Sequence, residues 1–166
     1  MQNRFCKYIF SIIILFSLLN SNNYVLKAEE KPPKSVCIEE AKKRWEKLNE
    51  KVLEDIVKSF NFDLSGYEEI KDDDLDLKEG DTLSGSYDKI TLQHLFVGSS
   101  TGDMRLFLKN GLKGDKGYFL YKRTDGNNVK KAISKMGDIW VVMHVEEVNA
   151  KKIKSEPFNW NKCKSK

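Results

Sequence analysis

Basic and aromatic side chains alternate along two neighbouring stretches of this chain. The residues are Arg105, Phe107 and Lys109 in the first stretch, and Phe119, Tyr121, Lys122 and Arg123 in the second. Since successive side chains of a β-strand point to opposite faces, the alternation would place rings and cations side by side on adjacent strands. Rings stack on a ligand and cations hold its negative charge. We therefore predict a face that binds an anionic ligand, although the same rings are equally suited to the core.

Few residues could carry catalysis. The chain has two histidines, His94 and His144, and we interpret the serines of residues 98–103 as part of a glycine-flanked loop. A zinc site needs three or four ligands at workable spacing, which two isolated histidines do not supply. We predict no catalytic residue, no metal site and no cofactor, and we keep a small hydrolase built around either histidine as an alternative.

A run of acidic residues lies between positions 68 and 81. Asp72, Asp74 and Asp76 have the spacing of positions 1, 3 and 5 in a calcium-binding loop. Leu77 stands where that loop needs a glycine, and Leu83 where it needs a bidentate glutamate. We therefore favour a solvated acidic connector over a calcium site.

The N-terminal sequence is typical of a secretory signal peptide. Arg4 and Lys7 precede an apolar run over residues 8–19, and a polar stretch then ends at Ala28. A membrane anchor usually needs about 20 apolar residues, more than this run supplies. We predict cleavage near Ala28, a secreted or periplasmic location, and no stable membrane span after cleavage.

Cleavage also changes the cysteine count. Cys6 is lost with the signal peptide, which leaves Cys37 and Cys163 near the two ends of the mature chain. An even number of cysteines in an oxidising compartment favours a disulfide, and neither cysteine has the neighbours of a zinc site. We predict that Cys37 and Cys163 are bonded.

The charge of the mature chain is nearly balanced. Residues 1–28 contain three of the 29 basic residues and none of the 25 acidic ones, so removing them lowers the net charge from +4 to +1. Cations are concentrated over residues 105–135 and again over residues 151–166, where six lysines accompany one glutamate. The concentration indicates either a solvated surface or a basic face for an anionic ligand. Export and a near-neutral charge argue against nucleic acid as a partner.

One long amphipathic helix is predicted over residues 36–59. Its apolar side chains recur at helical spacing in one stripe, which consists of Ala41, Trp45, Leu48, Val52, Ile56 and Phe60. A one-sided stripe must pack on something. The partner is either the sheet of the same chain or a helix of another subunit.

The rest of the chain is predicted to be mainly β-structure. We expect two strands over residues 82–87 and 89–97, or one long strand bent near Gly85 in their place. Strands over 104–109, 118–123 and 139–145 follow, with a short helix over 129–135 and an edge strand over 153–158. Asn110-Gly111 is a strong turn dipeptide between two of these strands. The strand over 139–145 is the most apolar, so we place it at the centre of the sheet.

These elements predict an α+β fold, in which the amphipathic helix packs on a small antiparallel β-barrel or meander. The order of strands and of the short helix is OB-like. The predicted divisions are a signal peptide (1–28), a polar lead and helix (29–60), an acidic connector (61–79) and a small β domain (80–166).

The function expected from these features is binding without catalysis. We predict a secreted or periplasmic binding or adaptor protein whose partner is a protein or an anionic polymer, and the sequence does not fix an oligomeric state. One alternative is an accessory component of an envelope or secretion assembly that docks through helix 36–60. The small hydrolase is the other.

Overall fold

The computed structural model of the protein describes residues 35–163, so the predicted signal peptide and its cleavage site lie outside the described residues. In chain order the helices and strands are α1 (Ser35–Phe60), β1 (Tyr67–Ile70), α2 (Leu83–Gln93), β2 (Arg105–Lys109), β3 (Lys116–Lys122), β4 (Asn128–Met136) and β5 (Ile139–Val148). Neither α1 nor α2 is both long enough and apolar enough to span a bilayer.

The five strands form one antiparallel sheet in the order β1-β2-β3-β4-β5. Each strand pairs with its neighbours in the chain, and β1 and β5 remain as edges, so the sheet is an open meander and does not close into a barrel. The α+β class and the meander are confirmed. The helix expected between the third and fourth strands is not present, and the OB-like order therefore loses the feature on which it rested.

Helix α1 confirms the helix predicted from the apolar stripe. Leu48, Val52 and Ile56 are buried against Phe107 of β2 and Leu120 of β3, so the stripe packs on the sheet of its own chain. We call this side of the sheet the α1 face. Outside the stripe, Arg44 and Glu40 form the expected i,i+4 pair at 2.7 Å.

Helix α2 covers the opposite side of the sheet, the α2 face. Its Leu92 is fully buried in a second apolar cluster with Leu106, Leu108 and Phe119. The strands predicted over 82–87 and 89–97 are therefore wrong. Thr82 caps the helix by accepting a hydrogen bond from the Gly85 amide at 3.1 Å, and this local signal prevails over the β-propensity of the stretch.

The short helix predicted over 129–135 is also wrong, because these residues belong to β4. The strand pairs with β3 from Lys116↔Ser134 to Lys122↔Asn128 and with β5 along its whole length. The two partners satisfy the backbone groups on both sides of β4. Hairpin pairing on both sides of the strand thus overrides a weak local preference for helix.

Strand β5 is an edge strand, which corrects its predicted central position. Val142, Met143 and Val145 are exposed, and a bulge interrupts its pairing opposite Ala132 and Ile133. Bulges of this kind disturb an edge and discourage further strand pairing. An apolar composition is therefore not sufficient to place β5 at the centre of the sheet.

One further segment contradicts its predicted structure, and one turn confirms it. Residues 153–158 contain no strand, which contradicts the predicted edge strand. Asn110 and Gly111 do form the predicted turn, with φ values of 63° and 62° in the left-handed region. Strand β1 lies within the stretch 61–79 that the sequence favours as an acidic connector, where it pairs with β2.

The predicted disulfide is present. Cys37 in the first turns of α1 is bonded to Cys163 in the C-terminal 3-10 turn, with Cα atoms 5.8 Å apart. The bond joins residues 126 positions apart and holds the C-terminal segment against α1. A bonded pair is weakly consistent with an extracellular location.

Candidate functional site

The register of β2 and β3 separates the two rows of predicted ligand-binding residues. Arg105 pairs with Leu120 and Phe107 with Tyr118, so this row lies on the α1 face. Phe119 pairs with Leu106, on the α2 face. By strand alternation Tyr121 and Arg123 share the side of Phe119, and the two rows cannot form one continuous face.

Three of the seven predicted residues are buried. Phe107 and Phe119 fill the two apolar clusters, and Lys122 has no exposed surface. Their rings and cation are therefore part of the core, which is the alternative that the sequence left open. Tyr121 is half-buried beside Phe119, with ring centroids 5.9 Å apart.

The two arginines of the predicted face are paired with carboxylates. Arg105 lies 3.2 Å from Glu69, and Arg123 lies 2.8 Å from Asp125 and 3.3 Å from Glu147. Lys109 is exposed at the end of β2. These pairs reduce the positive charge available to an anionic ligand on this part of the sheet.

Buried Lys122 belongs to a polar network that ties the sheet to α1. Its ammonium donates hydrogen bonds to Asp55 Oδ2 and Asn128 Oδ1, both at 2.9 Å. Burial raises the pKa of the Asp55 carboxyl, but the hydrogen bonds from Asn128 and Lys122 and the charge of Lys122 outweigh it and lower the pKa below its ordinary value. The network positions α1.

The histidines do not form a metal site with other described residues. His144 lies on edge strand β5, with Nε2 3.9 Å from Glu146, and His94 follows the end of α2. Within residues 35–163, no group of three or more histidine, cysteine or acidic side chains is arranged to hold a metal ion.

Residues 98–102 read Gly-Ser-Ser-Thr-Gly and match the Gly-x-Ser-x-Gly pattern of serine hydrolases. That pattern acts where a sharp turn joins a strand to a following helix. Here a 3-10 turn precedes the loop and strand β2 follows it. The Ser100 hydroxyl donates to the Gly102 carbonyl at 2.7 Å, so the loop holds its own serine and lacks the context of a nucleophile.

A groove lies between the first half of α1 and the C-terminal segment 154–160, which we call the tail. Its volume is about 680 Å³. The apolar side chains that line it are Ile38, Ala41, Trp45, Leu48, Pro157, Phe158 and Trp160. About half of the surface of Ile38, Trp45 and Trp160 is exposed, so this tail groove has an open apolar floor.

Several contacts hold the tail against α1. The Phe158 and Trp160 rings meet edge-to-face at 4.6 Å, and the Arg44 guanidinium lies 5.3 Å from the Phe158 ring centroid. At one end of the tail Cys163 is bonded to Cys37, and just before the other end Ile153 packs against the cluster that contains Leu48. The tail therefore runs antiparallel to α1.

On the floor, Trp45 is fixed by a loop of the sheet. Its Nε1 donates a hydrogen bond to Asp103 Oδ1 at 2.9 Å. The Asp103 backbone amide donates to Asn49 Oδ1 at 2.9 Å, and Asn49 Nδ2 donates to the Asp103 carboxylate. Buried Asn49 thus sets the position of the loop, and the loop sets the orientation of the indole.

The rim of the tail groove is basic. The cations that line it are Lys42, Arg44, Lys47, Lys51 and Lys154, and the only lining acid is Glu156. Arg44 pairs with Glu40 at 2.7 Å, and Lys42 lies 3.9 Å from Glu46. Lys47, Lys51 and Lys154 form no ion pair with another described residue, so the groove carries net positive charge.

A second cavity, of about 810 Å³, has acidic walls and lies between α1, β1 and the loop before β2. Its Asp103 is hydrogen-bonded to Trp45 and Asn49, and its Glu69 is paired with Arg105. These two carboxylates are engaged in holding the fold. Glu46, Glu50, Asp72 and Asp73 also line the cavity and disfavour an anion, and so the tail groove is the stronger candidate for an anionic ligand.

Two features of the sequence are compatible with the tail groove, although neither predicts it. The C-terminal lysines and the pairing of Cys37 with Cys163 together place a basic segment beside the first turns of α1. The stripe residue Trp45 was assigned to packing, whereas its ring is half exposed.

Comparison with known proteins adds no functional assignment, because the chain matches no protein-family model, no curated protein and no solved structure.

Proposed function

We propose that this protein is a secreted or periplasmic, non-enzymatic binding module and that its anionic ligand occupies the tail groove. The observation that carries the proposal is the combination of an open apolar floor with three lysines that lack partners among the described residues. This proposal keeps the binding function expected from the sequence and moves the site from strands β2 and β3 to α1 and the tail.

The dimensions and composition of the groove support this function. Ligand pockets of about 300–1,000 Å³ are typically apolar with a few well-placed polar groups, and the tail groove has about 680 Å³. An apolar body of a ligand would displace water from Ile38, Trp45 and Trp160. A negatively charged group would meet Lys47, Lys51 and Lys154 at the rim.

Export is the second part of the proposal. The Cys37–Cys163 bond supports it, because such bonds persist mainly in oxidising compartments. The signal-like pattern of residues 1–28 is the other support. The intact mass of the native protein tests both, since export predicts a chain that begins near Glu29 and lacks the two cysteine hydrogens.

The binding site is tested with anilinonaphthalene sulfonate (ANS), an anionic dye that fluoresces on apolar surfaces. We expect saturable binding that weakens about tenfold in the triple variant Lys47→Glu/Lys51→Glu/Lys154→Glu, since each exposed charge contributes up to about 1 kcal/mol.

The matched control is Lys109→Glu/Lys113→Glu/Lys116→Glu. It makes the same change of charge at three exposed lysines around the β2–β3 turn. Equal loss of dye binding in the two triple variants would show that net charge alone attracts the dye, and it would refute the tail groove as the site.

A further inference from the structure

We propose that the ligand of the tail groove is a single-chain anionic lipid of the fatty-acid class. Its carboxylate lies at the end marked by Lys51 and Lys154, and its hydrocarbon chain runs toward Ile38 and Trp160. This inference rests on the proposed function and adds the chemistry and the orientation of the ligand.

The cations that lack an ion-pair partner among the described residues lie toward one end of the groove. Near Ile38, Lys42 lies 3.9 Å from Glu46 and Arg44 pairs with Glu40 at 2.7 Å, so this end carries little free positive charge. Lys51 follows Ile38 by thirteen positions along α1, and the antiparallel tail brings Lys154 to the same end as Lys51. The opposite end contains Ile38 and Trp160, close to the disulfide. An amphiphile with one charged head and one apolar tail matches this polarity.

The length of the groove also fits one acyl chain. A helix rises 1.5 Å per residue, so Ile38 and Lys51 are about 20 Å apart along the axis of α1. One acyl chain of a bilayer leaflet extends about 15 Å, half of a hydrocarbon core of about 30 Å. The chain and its carboxylate therefore fit between the two ends.

An acidic peptide fits the same groove less well. The backbone groups of a buried peptide need hydrogen-bond partners, and a helix interior such as α1 satisfies its own N–H and C=O groups. Only the tail, which has no helix or strand over residues 154–159, could pair with a peptide, and it does so along one side alone. A hydrocarbon chain has no such need.

The test measures displacement of bound ANS by a series of saturated fatty acids, from octanoate to tetradecanoate, below their micelle-forming concentrations. Each added methylene that reaches the floor is expected to raise the affinity about two- to fourfold. The alkyltrimethylammonium ions of the same chain lengths carry the opposite charge, and we expect at least tenfold weaker displacement by them.

Two variants locate the chain and the head. Ile38→Glu places a charge at the apolar end and is expected to abolish the dependence on chain length, and Trp160→Asp provides a second variant at that end should the first fail to fold. Lys51→Glu/Lys154→Glu is expected to weaken every fatty acid about tenfold and to leave the dependence on chain length intact. Met143→Glu, at an exposed site on β5, is the control that changes nothing.

Several results would overturn the inference while leaving the proposed function standing. In the first, ANS binding depends on the groove lysines, but only oligoglutamate displaces the dye. In the second, fatty acids displace the dye with no dependence on chain length. In the third, only vesicles that contain phosphatidylglycerol displace it. Dimerisation that closes the groove against ANS would count against both proposals. If ANS binding does not depend on the groove lysines, the proposed function is refuted.

Discussion

The ammonium of Lys122 lies 2.9 Å from the Asp55 carboxylate, although 67 positions separate the two residues in the chain. Lys122 is fully buried on β3, and the Asp55 side chain on α1 is 36% exposed. Asn128 donates to the same carboxylate oxygen at 2.7 Å. A cation that the sequence places on a ligand face is instead one of the groups that fix α1 on the sheet.

Removal of the Asp55 carboxylate should destabilise the protein more than removal of the Lys122 ammonium. Asp55→Ala leaves a buried ammonium without a counterion, and we expect a loss of about 3 kcal/mol. Lys122→Met leaves a partly exposed carboxylate that still accepts from Asn128, and we expect about 1–2 kcal/mol. Urea unfolding measures both, with the exposed neighbour Glu54→Ala as control. A larger loss for Lys122→Met would contradict this assignment of the buried charge.

The same carboxylate should make stability depend on pH. The pKa of Asp55 is lower in the folded protein than its ordinary value of 3.8, so its contribution is complete above about pH 5 and is lost as the pH falls through the folded pKa. We therefore expect the stability difference between the wild type and Asp55→Asn to shrink from about pH 6 to about pH 3.

Two other carboxylates contribute to the acid sensitivity of the wild type. The pKa of Asp63 is lowered by hydrogen bonds from the backbone and side chain of Ser65, and that of Asp81 by the Lys78 amide and the Lys89 side chain. Both are unchanged in Asp55→Asn, so the comparison isolates Asp55. A difference that stays constant over this pH range would exclude the carboxylate as its source, and Glu54→Gln serves as the control.

The disulfide should stabilise the protein and maintain the tail groove. Replacing Cys37 and Cys163 together with serine is expected to cost about 2–5 kcal/mol, because the bond closes a long loop in the unfolded chain. ANS affinity should fall as well, since the tail loses its anchor near Trp160. Urea unfolding and dye titration measure the two effects. Unchanged dye binding in a folded double variant would show that Ile153 and the aromatic contacts are sufficient to hold the tail.

The second helix can be tested with two leucines on the same element. Leu92 is fully buried, so Leu92→Ala should cost about 2–5 kcal/mol, whereas Leu83 is 76% exposed and Leu83→Ala should change stability by less than about 0.5 kcal/mol. Thermal or urea unfolding gives the values. An effect at Leu92 as small as that at Leu83 would contradict the burial of Leu92 between α2 and the sheet.

The elements that the sequence predicted correctly are those with a strong local signal. The stripe from Ala41 to Phe60 has a helical period over five turns, and only one side of such a helix can be buried. The Asn110-Gly111 turn requires left-handed conformations that these two residue types adopt readily. Strands β2, β3 and β5 have compact runs of apolar residues, which are aromatic in β3 and mainly β-branched in β5.

The wrong predictions concern stretches whose local signals conflict. Residues 82–97 are rich in strand-forming side chains, yet the Thr82 cap and the burial of Leu92 stabilise a helix. Residues 129–135 contain lysines and an alanine that favour helix, yet β3 and β5 satisfy the backbone on both sides. A short window of sequence shows neither the packing of Leu92 on the sheet nor the pairing of β4 with both of its neighbours.

The sequence by itself determined the α+β class, the long helix α1 and the bond between Cys37 and Cys163, because periodicity and cysteine positions depend only on the order of the residues. Tertiary structure decided which residues are available to a ligand. The register of β2 and β3 divided the predicted face between two sides of the sheet, and burial made Lys122 a structural residue. The antiparallel course of the tail along α1 brought Lys51 and Lys154 to one end of a groove, because the disulfide joins segments 126 positions apart.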